Sequence, residues 1–331
     1  MRETARGGEG PAAARALGVY RLNADDAALV EVAPGAHAWV QPEGGWWVNN
    51  AGLVTADHGG EALVVDTCVS SERTRRFLDA AAAATGRAPI RLAVNTHQHG
   101  DHTYGNHLLP ESTLIAAQEK ARDGIVADPF FSGVPRIWEP MPDWSDAVLR
   151  PPALTFRSSL AVHLGRRRVE VHHPGETAHT PGDAVVWLPE EKVLFAGDLV
   201  FNRVTPLIFM GSLDGARRAL DWLAAFGAEA VVPGHGPLPS GEQEVRRCLD
   251  EQARYYELVQ RIAERGRAGG LTPLQAARKA DLGGFADWPD AERIVLNLHR
   301  VYADAAGVEM DMEAAFADTL TYLGGPMHCE A

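Results

Sequence analysis

The run Thr96-His97-Gln98-His99-Gly100-Asp101-His102 puts four potential metal ligands, His97, His99, Asp101 and His102, into six positions. Imidazole and carboxylate together suit zinc or a similar first-row metal. Four such groups side by side exceed what one open catalytic ion needs, which hints at two. The run follows Ile90-Arg91-Leu92-Ala93-Val94, an apolar stretch that reads as a buried strand. Ligands at the end of a strand sit on a rigid element and can still converge on one point.

Three further groups complete the constellation. His179 lies in Glu176-Thr177-Ala178-His179-Thr180-Pro181-Gly182-Asp183, Asp198 in Phe195-Ala196-Gly197-Asp198-Leu199, and His235 in Val232-Pro233-Gly234-His235-Gly236. Asp198 and His235 each follow an apolar strand and have glycine beside them, which permits tight turns and close backbone approach. Any one of these pieces recurs by chance, so the weight rests on their order.

The ordered set resembles the metallo-β-lactamase superfamily over roughly residues 30–240. That family shows an Asp after a strand, then H-x-H-x-D-H, a lone His, a bridging acid and a final His. Here these fall on Asp66, the 97–102 run, His179, Asp198 and His235. The resemblance implies an α/β fold, a four-layer αββα sandwich. It implies one metal on His97, His99 and His179 and a second on Asp101, His102 and His235, with Asp198 bridging. Two zinc ions per chain are the expected cofactors, with iron or manganese as substitutes. Two ions about 3.5–4 Å apart make hydroxide available at neutral pH. Asp66 would support the ligands from outside, fixing their loops or the orientation of an imidazole. Gly100 is read as the pivot that lets adjacent ligands face two ions.

Many β-lactamases of this family carry Cys or Ser where this chain has Asp198. An acid there is typical of its thioesterases, lactonases and nucleases. A net charge of −13 and a pI near 5.4 disfavour nucleic acid and anionic membranes as partners. The expectation is a dinuclear zinc hydrolase in the glyoxalase II-like or lactonase-like branch. Its partner would be a small-molecule acyl substrate, a thioester, lactone or related ester, and Asp101 would orient the nucleophile. The basic glutathione-binding motif of the glyoxalase II enzymes is not recognisable. A mononuclear iron enzyme resembling persulfide dioxygenases is the rival, and a non-catalytic metal-stabilised module the weaker one.

Hydrophobic content of 46% with 23% charged residues fits a water-soluble globular chain. Its 331 residues allow a large core domain with an appendage. Residues 1–18 read as a flexible N-terminus, 19–240 as the main domain and 241–331 as an all-helical C-terminal extension, which could carry a homodimer interface. A β-meander with Trp46-Trp47-Val48 as one strand should precede a helix over Ser71–Ala84, ended near Gly86. A further helix is expected around Ala116–Asp123 and another opening at Asp287 or Trp288. The Pro- and aromatic-rich residues 128–160, including Phe130, Phe131 and Trp144, could form a lid, and Trp46 and Trp47 an apolar wall over the metals. Arg203 and Arg300 are candidate anion clamps, although an ordinary surface role is favoured for both. The other histidines, His299 among them, have structural readings, except His172 and His173, which precede the His179 loop and stay open. Three cysteines without C-x-x-C spacing exclude a disulfide framework or a thiolate zinc site. The lack of an apolar leader makes the cytoplasm the expected compartment.

Overall fold

A computed structural model of the chain describes residues 27–41, 44–129 and 136–331. The first sheet is built from Ala28–Ala33 (β1), Ala36–Val40 (β2), Ala51–Thr55 (β3), Ala62–Val65 (β4), Ile90–Val94 (β5) and Leu114–Gln118 (β6). Trp138–Glu139 (β7) leaves it, and Leu154–Phe156 (β8) completes it in the order β1-β2-β3-β4-β5-β6-β8. The second sheet contains Ser159–Leu164 (β9), Arg167–His172 (β10), Val185–Leu188 (β11), Val193–Phe201 (β12) and Ala230–His235 (β13), in the order β13-β12-β11-β10-β9. Antiparallel hairpins give way to parallel pairs at β4–β5, β5–β6 and β12–β13.

The strands nearest the site are covered on both faces, so they read as unbroken apolar runs. Ala62-Leu63-Val64-Val65 is wholly buried, and so is every residue from Val193 to Phe201. Between the sheets, Val54, Leu63, Val65 and Val94 meet Val171, Val186, Phe195 and Val232. The outer face of the first sheet is covered by Ser71–Thr85 (α1), whose Phe77 and Ala81 pack on Leu53, Val64 and Ala93. The Ser70 side chain caps its start and Gly86, in the left-handed region, ends it. Gly100–Thr103 (α2) and Glu119–Val126 (α3) follow β5 and β6. Leu213–Ala224 (α4) and Glu242–Ala268 (α5) cover the second sheet. The result is the helix–sheet–sheet–helix sandwich that the resemblance implied.

Pro273–Lys279 (α6), Arg293–Ala306 (α7) and Met312–Leu323 (α8) form the helical C-terminal region. A Thr272–Gln275 capping box opens α6. Tyr255, Val259, Ile294, Val295 and Leu298 share one buried cluster with Leu194, Ala196 and Leu199 of β12. The region is therefore packed continuously with the second sheet.

Several local expectations change. Trp46-Trp47 is a turn with Trp47 at φ 66°, because its rings are drawn into an aromatic cluster and not onto a sheet face. Residues 116–123 divide into the end of β6 and the start of α3. The helix expected from Asp287 begins only at Arg293, after a 3-10 turn at Gly283–Asp287. The C-terminal region also contains a strand, Met327–His328 (β14), paired in parallel with β7. Residues 1–18, Phe130 and Phe131 lie outside the described residues.

Gly52 of β3 lies under Phe195 of β12, where an added Cβ would stand 2.4 Å from the ring. Gly52→Val should lower stability by about 1–3 kcal/mol, as overpacking does. A chemical denaturation midpoint equal to wild type would contradict the sheet-on-sheet packing.

Candidate metal centre

The site lies where β5, β12 and β13 end. Past β5 the chain turns through His97 and His99 into α2, which places Asp101 and His102 on one short helical turn. The Asn95 amide holds the His102 carbonyl at 3.1 Å, and Thr103 Oγ1 donates to the His99 carbonyl at 3.0 Å. The His179 loop is tied by Asp183, which accepts from the backbone N–H groups of His179 and Thr180 and from Thr180 Oγ1. Asp198 sits in β12 at an irregular stretch beside Gly197, φ 51°. His235 ends β13. Gly234 must be glycine, since a Cβ there would lie 1.9 Å from Asp198 Oδ1. Gly100 needs no left-handed backbone. Its lack of a side chain admits the Tyr104 ring, which an added Cβ would meet at 2.2 Å.

The seven sequence candidates come together as two groups. His97, His99, His179 and Asp198 form one, and Asp101, His102 and His235 the other, with ligand atoms in each within 4.8 Å of one another. His99 Nδ1 is 3.1 Å from His97 Nε2 and 2.9 Å from His179 Nε2. Asp198 Oδ2 is 3.3 Å from His179 Nε2 and 3.4 Å from His235 Nε2, while Oδ1 is 3.0 Å from His102 Nε2. Asp101 Oδ2 lies 3.2 Å from His235 Nε2 and 3.7 Å from His102 Nε2. Nitrogens bound tetrahedrally at 2.0–2.1 Å to one ion would stand about 3.3 Å apart. The Asp198 carboxylate therefore faces both groups.

The opposite ring nitrogens fix the direction of the lone pairs. Nδ1 of His102 donates to Asp66 Oδ2 (2.8 Å), Nδ1 of His179 to the Leu207 carbonyl (2.6 Å), and Nδ1 of His235 to the carbonyls of Gly44 (2.9 Å) and Val48 (3.0 Å). Thr96 Oγ1 donates to Asp66 Oδ2 at 2.7 Å and so accepts from His97 Nδ1 at 3.0 Å. His99 turns Nε2 toward the Met210 sulfur at 3.3 Å and stacks on Phe209. In a neutral imidazole one nitrogen donates and the other accepts. The inner nitrogens of His97, His99 and His179 are then unprotonated and face one another, an arrangement that a cation satisfies and a hydrogen-bond network does not. Those of His102 and His235 face carboxylates instead, Asp198 Oδ1 at 3.0 Å and Asp101 Oδ2 at 3.2 Å.

Electrostatics divide the two groups. Burial, reinforced by neighbouring imidazoles, holds His97 and His179 below the ordinary imidazole range and His99 at about 3. Burial opposes charge on His102 and His235 too, but Asp198 and Asp101 outweigh it. They raise His102 well above its usual range and His235 to about 9. Burial alone would raise Asp198 and Asp101, yet the facing histidines lower both, Asp198 strongly. Both carboxylates are held ionised, as ligation requires.

The family model of the metallo-beta-lactamase superfamily matches residues 44–235, more than half of the chain. The chain belongs to this superfamily. A linear primary-alkylsulfatase of Pseudomonas sp. is 27% identical over 259 residues, 66% of this chain and 48% of that protein. A hydroxyacylglutathione hydrolase of Methylococcus capsulatus is 28% identical over 180 residues, 54% of this chain and 61% of that protein. The chain spans about half the length of the first curated relatives it matches. Among solved structures, the stereoselective inverting sec-alkylsulfatase Pisa1 from Pseudomonas sp. superposes with a TM-score of 0.66 at 19% identity, over 88% of this chain and 52% of that one. A metallo-beta-lactamase from Pontibacter korlensis gives 0.54 at 20% identity, over 69% of this chain and 99% of that one. The likeness to the sec-alkylsulfatase covers too much of the chain to stop at residue 235, so it reaches into the helical region.

Around this superfamily site, the remaining candidates separate. Trp46 and Trp47 are buried among Trp138, Trp144 and Tyr104, so they form core next to the site. Arg203 is exposed. Arg300 of α7 pairs with Asp304 and lines a groove beside Gln98 and Met210. His299 ties α7 to α8 through Asp318 at 2.8 Å. Two supporting residues were not recognised from sequence, Thr96 and Asp183. Thr96 stands next to His97 and Asp183 four positions after His179, and that proximity to a candidate ligand is the only signal they give.

Asp66 holds His102 directly and His97 through Thr96, one imidazole from each group. Asp66→Asn should weaken zinc binding by roughly 10–100-fold, read by titration against a chromogenic chelator. Unchanged affinity would show that this carboxylate does not orient the ligands.

Proposed function

We propose that the chain is a metal-dependent hydrolase that cleaves an ester bond of a small molecule, using two zinc ions. His97, His99 and His179 would hold one ion, Asp101, His102 and His235 the other, with Asp198 shared. The observation that carries this reading is the position of Asp198, whose carboxylate approaches imidazoles of both groups within 3.0–3.4 Å. When bound, such a pair of ions supplies hydroxide at neutral pH and polarises the ester oxygen.

The protein's own groups do the rest. Asp101, kept ionised by His102 and His235, is an acceptor that orients the attacking water and takes up its proton. Asp66, Thr96, Leu207, Gly44 and Val48 hold imidazole lone pairs toward the site, so no reorganisation is needed when the substrate arrives. A groove of about 580 Å³ runs from Gln98 along Phe209, Met210, Met310 and Met312, with Arg300 at its side. Its apolar wall suits an acyl or alkyl chain, while the Arg300 guanidinium is already paired with Asp304, which lines the same groove with Glu309.

An acyl ester, thioester or lactone is the first substrate class. A second reading, an alkyl sulfate ester, is favoured by the similarity to the linear primary-alkylsulfatase, 27% identical over 259 residues. A single iron performing sulfur oxidation is the remaining enzymatic alternative.

The test uses protein stripped with chelator, reloaded with zinc, and assayed on an acyl ester, a thioester, a lactone and a primary alkyl sulfate. Stripping should abolish hydrolysis and zinc restore it, with turnover of at least one acyl substrate. Asp101→Ala should reduce kcat by about 10²-fold or more. Turnover of the alkyl sulfate alone would select the second reading. Hydrolysis that survives complete metal removal would contradict both, and one bound iron with oxygen consumption would select the third.

A further inference from the structure

The helical region contributes no ligand to either group, yet it reaches the far side of His235. The approach begins at Asp290, Glu292 and Arg293, the entry to α7. Arg293 is 2% exposed, and its Nη2 lies 2.7 Å from Asp290 Oδ2. Its Nη1 donates to the Thr205 carbonyl at 2.9 Å. Its guanidinium carbon sits 4.4 Å above the Trp46 ring and 5.7 Å from the Phe201 ring. Arginine over an aromatic face is attracted by the ring quadrupole, more strongly where water is excluded.

Both aromatic partners lead to the same imidazole. Phe201 lies parallel to His235, centroids 5.2 Å apart and planes inclined by 4°. Trp46 belongs to the turn whose Gly44 and Val48 carbonyls accept from His235 Nδ1. That turn also meets the entry to α7 at two further points. Glu292 Oε1 accepts from Trp46 Nε1 at 2.7 Å, and Gly45 passes close enough that a Cβ would stand 3.3 Å from Asp290 Oδ2. His97 and His102 are oriented from Asp66 and share none of these contacts, whereas His179 meets the Phe201 ring at 5.8 Å with planes inclined by 60° but takes its Nδ1 acceptor from Leu207 and not from the Trp46 turn.

We propose that Arg293 is a positioning residue for His235. It sets both the stacking face and the carbonyl partners of that imidazole, and through it the affinity of the Asp101–His102–His235 group, more strongly than that of the His97–His99–His179 group, which meets Phe201 only through the tilted His179 ring. The inference rests on the two-metal reading above. The helical region is then part of the metal centre's construction as well as a wall of the groove.

The test is a calorimetric zinc titration of metal-free full-length protein, wild type and variant. Wild type should take up two equivalents. Fewer than two would defeat the two-metal reading itself. In Arg293→Met the stronger or weaker equivalent assigned to the His235 group should lose affinity by about 10–100-fold, with the other weakened clearly less. His235→Ala identifies which equivalent that is. Phe201→Leu removes the parallel stack on His235 and the tilted contact with His179 without uncovering a charge, and should weaken the same equivalent more than the other. Arg293→Met paired with Asp290→Asn leaves no buried carboxylate unpaired and provides the folded comparison. Arg293→Lys, which retains the charge but not the planar stack, should restore part of the affinity. Equal weakening of both equivalents would reduce Arg293 to a general stability role, and two unchanged equivalents in the Phe201 and Arg293 variants would overturn the proposal.

Discussion

The structure depends on a single constraint on five imidazoles. Four have their outer nitrogen committed to a protein oxygen acceptor, and His99 turns its own toward a sulfur, so the inner nitrogens converge on one site. Buried polar atoms left without partners cost about 1–3 kcal/mol each. Among His97, His99 and His179, facing lone pairs add repulsion to that cost. A bound cation relieves both, so binding and folding are linked, and the apoprotein carries a penalty that the loaded protein does not.

The sandwich exists in the form that makes this convergence possible. Parallel pairing of β12 with β13 brings Asp198 and His235 to one edge, and β5 delivers the histidine run to the same edge from the other sheet. Glycine fills the close passages of the backbone beside the ligands. Gly234 makes room for the Asp198 carboxylate and Gly197 for the Thr96 side chain. Neither position tolerates a Cβ without moving a ligand or its support. Asn50 closes the arrangement by donating to the Pro233 and Gly236 carbonyls, which locks the turn after β3 against the end of β13.

Much of this was legible in the sequence because metal ligation demands particular residue types in a particular order. The seven candidate ligands and the sandwich were readable for that reason, and so was Asp66. What escaped was whatever depends on partners distant along the chain. The Trp46-Trp47 pair has strand-like composition, but contacts with Trp138 and Glu292 pull it into a turn. Gly100 looked like a hinge between ligands, whereas the ring of Tyr104 explains it. Arg293 carries no motif at all. Its role follows from burial against Trp46 and Phe201, residues 247 and 92 positions earlier in sequence by simple subtraction, and no local pattern encodes that.

The division of the site around Asp198 is the central claim, and anomalous scattering at the zinc edge from crystals of the zinc-loaded protein tests it most directly. The account predicts two peaks per chain, one within ligand distance of His97, His99 and His179 and one within ligand distance of Asp101, His102 and His235, with the Asp198 carboxylate touching both. A single peak at full zinc occupancy, or a second ion bound without Asp198, would contradict it.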